Sequence, residues 1–245
     1  MKKSAVFLLF MFISVISYVC FSQKGELANE VSGKESDEEK VVYLTFDDGP
    51  SKNTEKILDI LKKNDVRATF FLIGNQVNDN TSDVVKRMIK EGHQIGVHTY
   101  SHDAKKIYKD DKAYYNDILK AERVIIENTG VVPLVYRFPW GSNNCYVMKF
   151  RNKVIKRLKK IGLEFCDWNV SGEDSVGSPT VQSIIKNIKN GYNRYNEPVV
   201  LLHDSASNKA TVEALPRIIK MYREAGYSFG TVSERSRIYQ WRVTK

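Results

Sequence analysis

The chain has 245 residues, 42% of them hydrophobic and 27% charged, a composition that suits a globular protein with one sizeable core. The formal charge is +9, but the excess sits in scattered pairs such as Lys62-Lys63 and Lys159-Lys160. No arginine-rich helix or basic run interleaved with aromatics occurs, which argues against nucleic acid as a partner.

The first element in the chain is a targeting segment. Lys2 and Lys3 precede an apolar run from Ser4 to Ser22. Residues 1–22 therefore read as a signal peptide or an N-terminal membrane anchor, with the following chain outside the cytoplasm. Ser22 is small enough for cleavage, although Cys20 two positions earlier is only a fair partner. Val19 before Cys20 is poorly suited to lipid attachment. Residues 23–40 are polar, lack apolar periodicity and read as a flexible linker. The folded domain is expected over residues 41–245. Its two cysteines, Cys145 and Cys166, could pair in an oxidising compartment, but two free or buried thiols are the expectation; the absence of a CxxC spacing excludes a thiolate zinc site.

From Val41 onward, short apolar β-type runs alternate with helical patterns. The expected strands are Val41–Phe46, Ala68–Ile73, Gln94–Val97, Leu134–Arg137, Leu163–Asp167, Val199–Leu202 and Ser228–Thr231. The expected helices are Thr54–Lys63, Ser82–Glu91 with Ser82 as N-cap, Lys112–Asn128, Val147–Ile161, Val181–Asn190 and Val212–Ala225. Seven β–α units in sequence imply an α/β fold on a parallel sheet, and about 200 residues suit an incomplete barrel.

Five polar motifs fall at the C-terminal ends of these strands. In Thr45-Phe46-Asp47-Asp48-Gly49-Pro50, side-chain alternation would point the two carboxylates in different directions. One could then bind a metal while the other faces a reacting water. Alone, the string would equally suit a turn. His98 and His102 stand four residues apart, a metal-ligand spacing if the stretch is helical; with one aspartate they would leave an open position on a tetrahedral zinc. Arg137, in Arg137-Phe138-Pro139-Trp140-Gly141, would need an acidic partner when buried, and Asp47 would suit. Asp167-Trp168-Asn169 and Leu201-Leu202-His203-Asp204 complete the set. A carboxylate that orients a histidine is a common acid/base arrangement. In a parallel barrel the strand C-termini share one face, and that face carries the active site.

In this order TFDDGP, HTYSH, RFPWG, DW and LLH resemble the five motifs of the polysaccharide deacetylases, carbohydrate esterase family 4. The likeness runs from about Val41 to Val232, and RFPWGSNN followed by DWNV is similar to bacterial peptidoglycan deacetylases in particular. The resemblance implies a distorted (β/α)7 barrel. It implies that Asp48, His98 and His102 bind a divalent metal, usually Zn2+ with Co2+ possible, and that Asp47 is the general base. Arg137 would tune Asp47, and His203 would be the general acid, oriented by Asp167. The Trp140 N–H would stabilise the oxyanion, and Trp168 and Leu201 would line the acetyl pocket. Trp140 stands where the family more often has a smaller or tyrosine side chain. The partner implied is cell-wall glycan, met by a monomer at the cell surface or secreted. Alternatives are deacetylation of chitin oligosaccharides, cleavage of O-acetyl esters of xylan, or glycan binding without catalysis. His93, the fourth histidine, reads as structural.

Overall fold

The computed structural model describes residues 39–241. The expected export segment, and all but the last two residues of the linker, lie outside the described residues. Among the described residues no helix is long and apolar enough to cross a membrane.

Eight strands form one sheet: β1 (Val41–Gly49), β2 (Thr69–Leu72), β3 (Gln94–Val97), β4 (Val135–Tyr136), β5 (Glu164–Phe165), β6 (Val170–Ser171), β7 (Val199–His203) and β8 (Ser228–Phe229). The order is β5-β4-β3-β2-β1-β7-β6, with β8 paired to the start of β1, and every pairing is parallel. Among the described residues seven helices accompany them: α1 (Lys52–Lys63), α2 (Ser82–Lys90), α3 (Ala104–Ile107), α4 (Asp111–Thr129), α5 (Arg151–Lys159), α6 (Val181–Lys189) and α7 (Lys209–Glu224). The fold is α/β, a distorted (β/α)7 barrel that is open between β5 and β6. Beside the free edge of β5 runs the end of the described chain. Asp167 N–H donates to Tyr239 O, Gln240 Nε2 to Phe165 O and Trp241 N–H to Asp167 Oδ2.

The period-2 pattern of β1 separates two cores. Val42, Leu44 and Phe46 point outward into the cluster shared with the helices, where Phe46 stacks on Phe70 at 5.1 Å. Tyr43 points inward with Phe71, Val135, Cys166 and Val199. Helix ends follow local chemistry. Asp110 caps α4 by accepting from Lys112 N and Ala113 N, and Gly130 closes it at φ 72°.

Four expectations change. Val170–Ser171 is a strand that no apolar run announces. The Ser82 helix begins at Ser82 itself, with Thr81 at the N-cap position. The helix expected from Val147 starts at Arg151, because Asn144 Oδ1 takes the Tyr146 and Val147 N–H groups and holds that stretch in turns. The HTYSH stretch is a loop rather than a helix, with Thr99 at φ 66° and His102 at φ 48°.

Phe46→Ala would empty a fully buried position beside Phe70. It is expected to cost about 3–5 kcal/mol in urea unfolding.

Candidate active site

The strand C-termini surround a cavity of ≈ 370 Å³. Asp47, Asp48, His98, His102 and His203 line it together with Trp140, Trp168 and Leu201. Ser171, Glu173, Ser175 and Val176 complete the wall.

Both aspartates face this cavity, contrary to the alternation expected of neighbours on a strand. The β1–β2 register passes from Asp47↔Phe71 to Gly49↔Leu72, so Asp48 is a bulged residue, at φ 74°. The bulge brings its carboxylate to the histidines. Asp48 Oδ1 lies 3.5 Å from His98 Nε2 and 3.4 Å from His102 Nε2.

The loop carrying the histidines is tied down by α4. Asp117 accepts from Tyr100 N, Ser101 N and Ser101 Oγ at 2.5, 3.1 and 2.8 Å. Thr99 Oγ1 accepts the His102 N–H. The two rings stand 5.0 Å apart, so left-handed backbone at Thr99 and His102 does what a helical turn was expected to do.

These three residues fit a divalent cation. Asp48 Oδ1 is buried and has no hydrogen-bond partner. His98 Nδ1 is 3.0 Å from Arg137 O, so it carries the proton and leaves the Nε2 lone pair facing Asp48. Burial, with the charges of His102 and Arg137 nearby, holds His98 well below the usual histidine range, which keeps it neutral. One ligand atom from each residue lies within 4.8 Å of the others.

Asp47 is held by Arg137. The fully buried guanidinium donates from Nη1 to Asp47 Oδ1 at 2.9 Å and to Thr45 Oγ1 at 2.7 Å. Nε donates to Cys166 O and Nη2 to Asp167 O, and the group lies 4.1 Å above the Phe71 ring. Burial pushes Asp47 up to about 6 against the lowering charges of Arg137 and His203.

His203 ends β7, directly across from Asp47 on β1. Its partner is Asp174, not Asp167 as expected. Asp174 Oδ1 is 2.8 Å from His203 Nδ1, and Oδ2 accepts the His203 N–H at 2.8 Å and Thr211 Oγ1 at 2.6 Å. The topology explains the correction. Asp167 follows β5 at the far end of the strand order, whereas Asp174 follows β6, the direct neighbour of β7. Asp167 instead braces loops, accepting from Ser142 N, Ser142 Oγ and Trp241 N. Asp174 lies in Gly172-Glu173-Asp174-Ser175, which reads as a turn, so no sequence signal marked it.

Burial alone would lower the pKa of His203, but its hydrogen bond and ion pair with Asp174, with Asp47 and Asp48 nearby, raise it to about 9. Nε2 lies 3.3 Å from Ser175 Oγ. Ser175, His203 and Asp174 thus line up like a nucleophilic triad. A charged imidazole has no lone pair to take the serine proton, which argues against Ser175 as a nucleophile.

The aromatic residues shape the mouth. Trp140, at φ 60° and 52% exposed, packs its ring 5.0 Å from His102. Trp168 meets Trp241 edge-on at 4.6 Å, and Trp241 Nε1 donates to Trp168 O. A Cβ on Gly141 would collide with both indoles, so this turn requires glycine. Leu201 lies on the floor, 7% exposed. Cys145 is exposed and Cys166 buried, both free. His93 lies outside the cavity, its Nδ1 accepting from Ala68 N at 3.2 Å.

Asp174→Asn should lower the His203 pKa from about 9 to below 6.5, read by NMR titration of the ring, because burial is then opposed only by more distant charges. A raised folded pKa stabilises the fold fully below the unfolded value near 6.5, and the benefit is lost as pH rises through about 9. The stability deficit of Asp174→Asn should therefore be largest below pH ~6.5 and shrink towards pH ~9.

Comparison with known proteins follows the same lines. Residues 34–166 match the polysaccharide deacetylase family. A peptidoglycan-N-acetylglucosamine deacetylase of Bacillus cereus is 36% identical over 204 residues, covering 81% of this chain and 71% of that protein. A bifunctional xylanase/deacetylase of Pseudobutyrivibrio xylanivorans is 35% identical over 90% of this chain, which spans only 34% of that larger protein. Among solved structures, the catalytic domain of peptidoglycan N-acetylglucosamine deacetylase from Eubacterium rectale superposes with a TM-score of 0.76 at 32% identity, covering 84% of this chain and 94% of that one. A family 4 acetyl xylan esterase from Clostridium thermocellum, in complex with cobalt, gives 0.68 at 31% identity, covering 80% and 89%. With its motifs gathered on one face of this barrel, the chain belongs to the polysaccharide deacetylase family, whose members are hydrolases.

Proposed function

We propose that the protein removes N-acetyl groups from cell-wall glycan, the N-acetylglucosamine or N-acetylmuramic acid units of peptidoglycan, and releases acetate outside the cytoplasm. The observation that carries this reading is a pair of differently tuned groups in the cavity that also holds the Asp48–His98–His102 cluster. Asp47, clamped by Arg137, is a carboxylate near neutral pH, whereas His203, clamped by Asp174, is an imidazolium. Amide hydrolysis needs this pair, because water must lose a proton and the amine must gain one before it can leave.

Asp48, His98 and His102 would hold Zn2+, or Co2+ in its place. Such an ion polarises the acetamide carbonyl and brings the pKa of water towards ~7. Asp47 takes the proton of the attacking water, and Arg137 keeps that carboxylate aimed and partly neutralised. As the carbonyl oxygen becomes negative, the Trp140 N–H donates to it, a contribution typically worth a few kcal/mol. His203 then gives its Nε2 proton to the sugar nitrogen, displacing its contact with Ser175 Oγ, and the C–N bond breaks to acetate and amine. Leu201 and Trp168 supply an apolar seat for the acetyl methyl.

The full-length protein with zinc should release acetate from peptidoglycan fragments, read by mass spectrometry of the glycan, and chelation should stop it. Asp47→Asn should abolish turnover while leaving zinc affinity within a few-fold of wild type; wild-type turnover in that variant removes Asp47 as the base. Esters of O-acetylated xylan make a second reading, favoured by the likeness to the acetyl xylan esterase. Comparing acetate release from amide and ester substrates separates the two. His203→Ala tests the acid: amide cleavage should fall by on the order of 10²-fold or more, whereas an activated ester, whose leaving group needs no proton, should be spared, and equal losses would contradict that role.

A further inference from the structure

The face opposite the cavity carries features that the hydrolytic site does not use. Apart from the short α3, each helix returns the chain from the site end of the sheet to the start of the next strand. Helix C-termini therefore gather around the N-terminal ends of the strands. The last turns of α1, α2, α5 and α6 carry two or three lysines or arginines each. The first turns of α1, α2 and α4, at the site end, carry Glu55, Asp83 and Asp111. Basic side chains in these last turns therefore lie towards the end opposite the site, while Lys105 and Lys106 of α3 lie at the site end. Helix dipoles favour such placement. Part of this charge is neutralised locally: Lys62 and Arg87 pair with Glu91, Arg157 with Asp111 and Lys159 with Glu164.

Dipole complementation does not account for the apolar side chains in the same place. Val132, Leu134 and Ile161 are 59%, 56% and 44% exposed. They precede β4 and β5, which pair directly, and Leu134 O accepts the Glu164 N–H. The three therefore share an edge of this face with Lys159 and Lys160. The chain also enters here: Lys40 leads into the start of β1, where β8 pairs. Upstream of that entry lies the Lys2-Lys3 and apolar Ser4-to-Ser22 pattern of an export signal or anchor.

We propose that this face docks on an anionic lipid surface. Val132, Leu134 and Ile161 enter the headgroup boundary, the lysines meet lipid phosphates, and the hydrolytic cavity points away from the membrane. Apolar side chains distinguish lipid from a hydrated polyanionic polymer, because only lipid offers them an apolar layer. The inference does not depend on which glycan or bond is cleaved.

Full-length protein is mixed with vesicles of phosphatidylcholine, alone or with about a third phosphatidylglycerol, and hydrogen exchange is followed by mass spectrometry. Peptides over residues 130–134 and 159–163 should exchange more slowly only on the anionic vesicles. That protection should be lost in ~0.5 M salt. It should also be lost in Lys159→Glu/Lys160→Glu and in Leu134→Ser/Ile161→Ser, with thermal midpoints confirming that both variants fold. Residues 172–178, at the cavity, should be unaffected. Equal exchange on both vesicles overturns the proposal, as does protection of 172–178 in place of the two edge peptides. Soluble polyphosphate that protects the same peptides, indifferent to Leu134→Ser/Ile161→Ser, would assign the face to a polyanion. Protection without vesicles that grows with protein concentration would assign it to a second copy.

Discussion

The site depends on one buried guanidinium. Arg137 follows β4, yet its donors reach β1 through Asp47 and Thr45 and the end of β5 through Cys166 O and Asp167 O. A fully buried cation is tolerable only with its charge balanced and its donors paired, and these contacts supply both. They also tie the end of β1, an interior strand of the sheet, to β5 at its open edge. The His98 tautomer hangs on the same residue, because Arg137 O takes the Nδ1 proton. Asp47, the cluster and the barrel edge therefore share one constraint.

Charge placement in the cavity works against the fold as well as for it. Asp47 is raised to about 6 by burial, so ionising it costs stability, and that cost grows as pH rises from its ordinary value near 3.8 through about 6. His203 is raised by Asp174, so its ionised form is the favoured one up to about 9. A carboxylate held in a buried place and an imidazolium held by a partner are what a base and an acid require at neutral pH. Asp204, also buried, is pushed up to about 7 by burial and accepts from Thr54 Oγ1, joining the end of β7 to the first turn of α1.

The sequence by itself determined the strand–helix alternation, the parallel sheet and the placement of five polar motifs at strand ends, since hydrophobic period and strand polarity are local properties. Asp47, Asp48, His98, Arg137 and His203 could be picked out because each sits at the end of an apolar run, and His102 because it stands four residues from His98. Tertiary structure decided what no local pattern encodes. A bulge at Asp48, rather than alternation, sets two adjacent carboxylates on one cavity. Left-handed backbone in a loop, held by Asp117 from α4, brings the two histidines together without a helix. Sheet order gives His203 to Asp174 and leaves Asp167 to brace loops, because hydrogen bonding follows neighbours in the sheet and not rank along the chain.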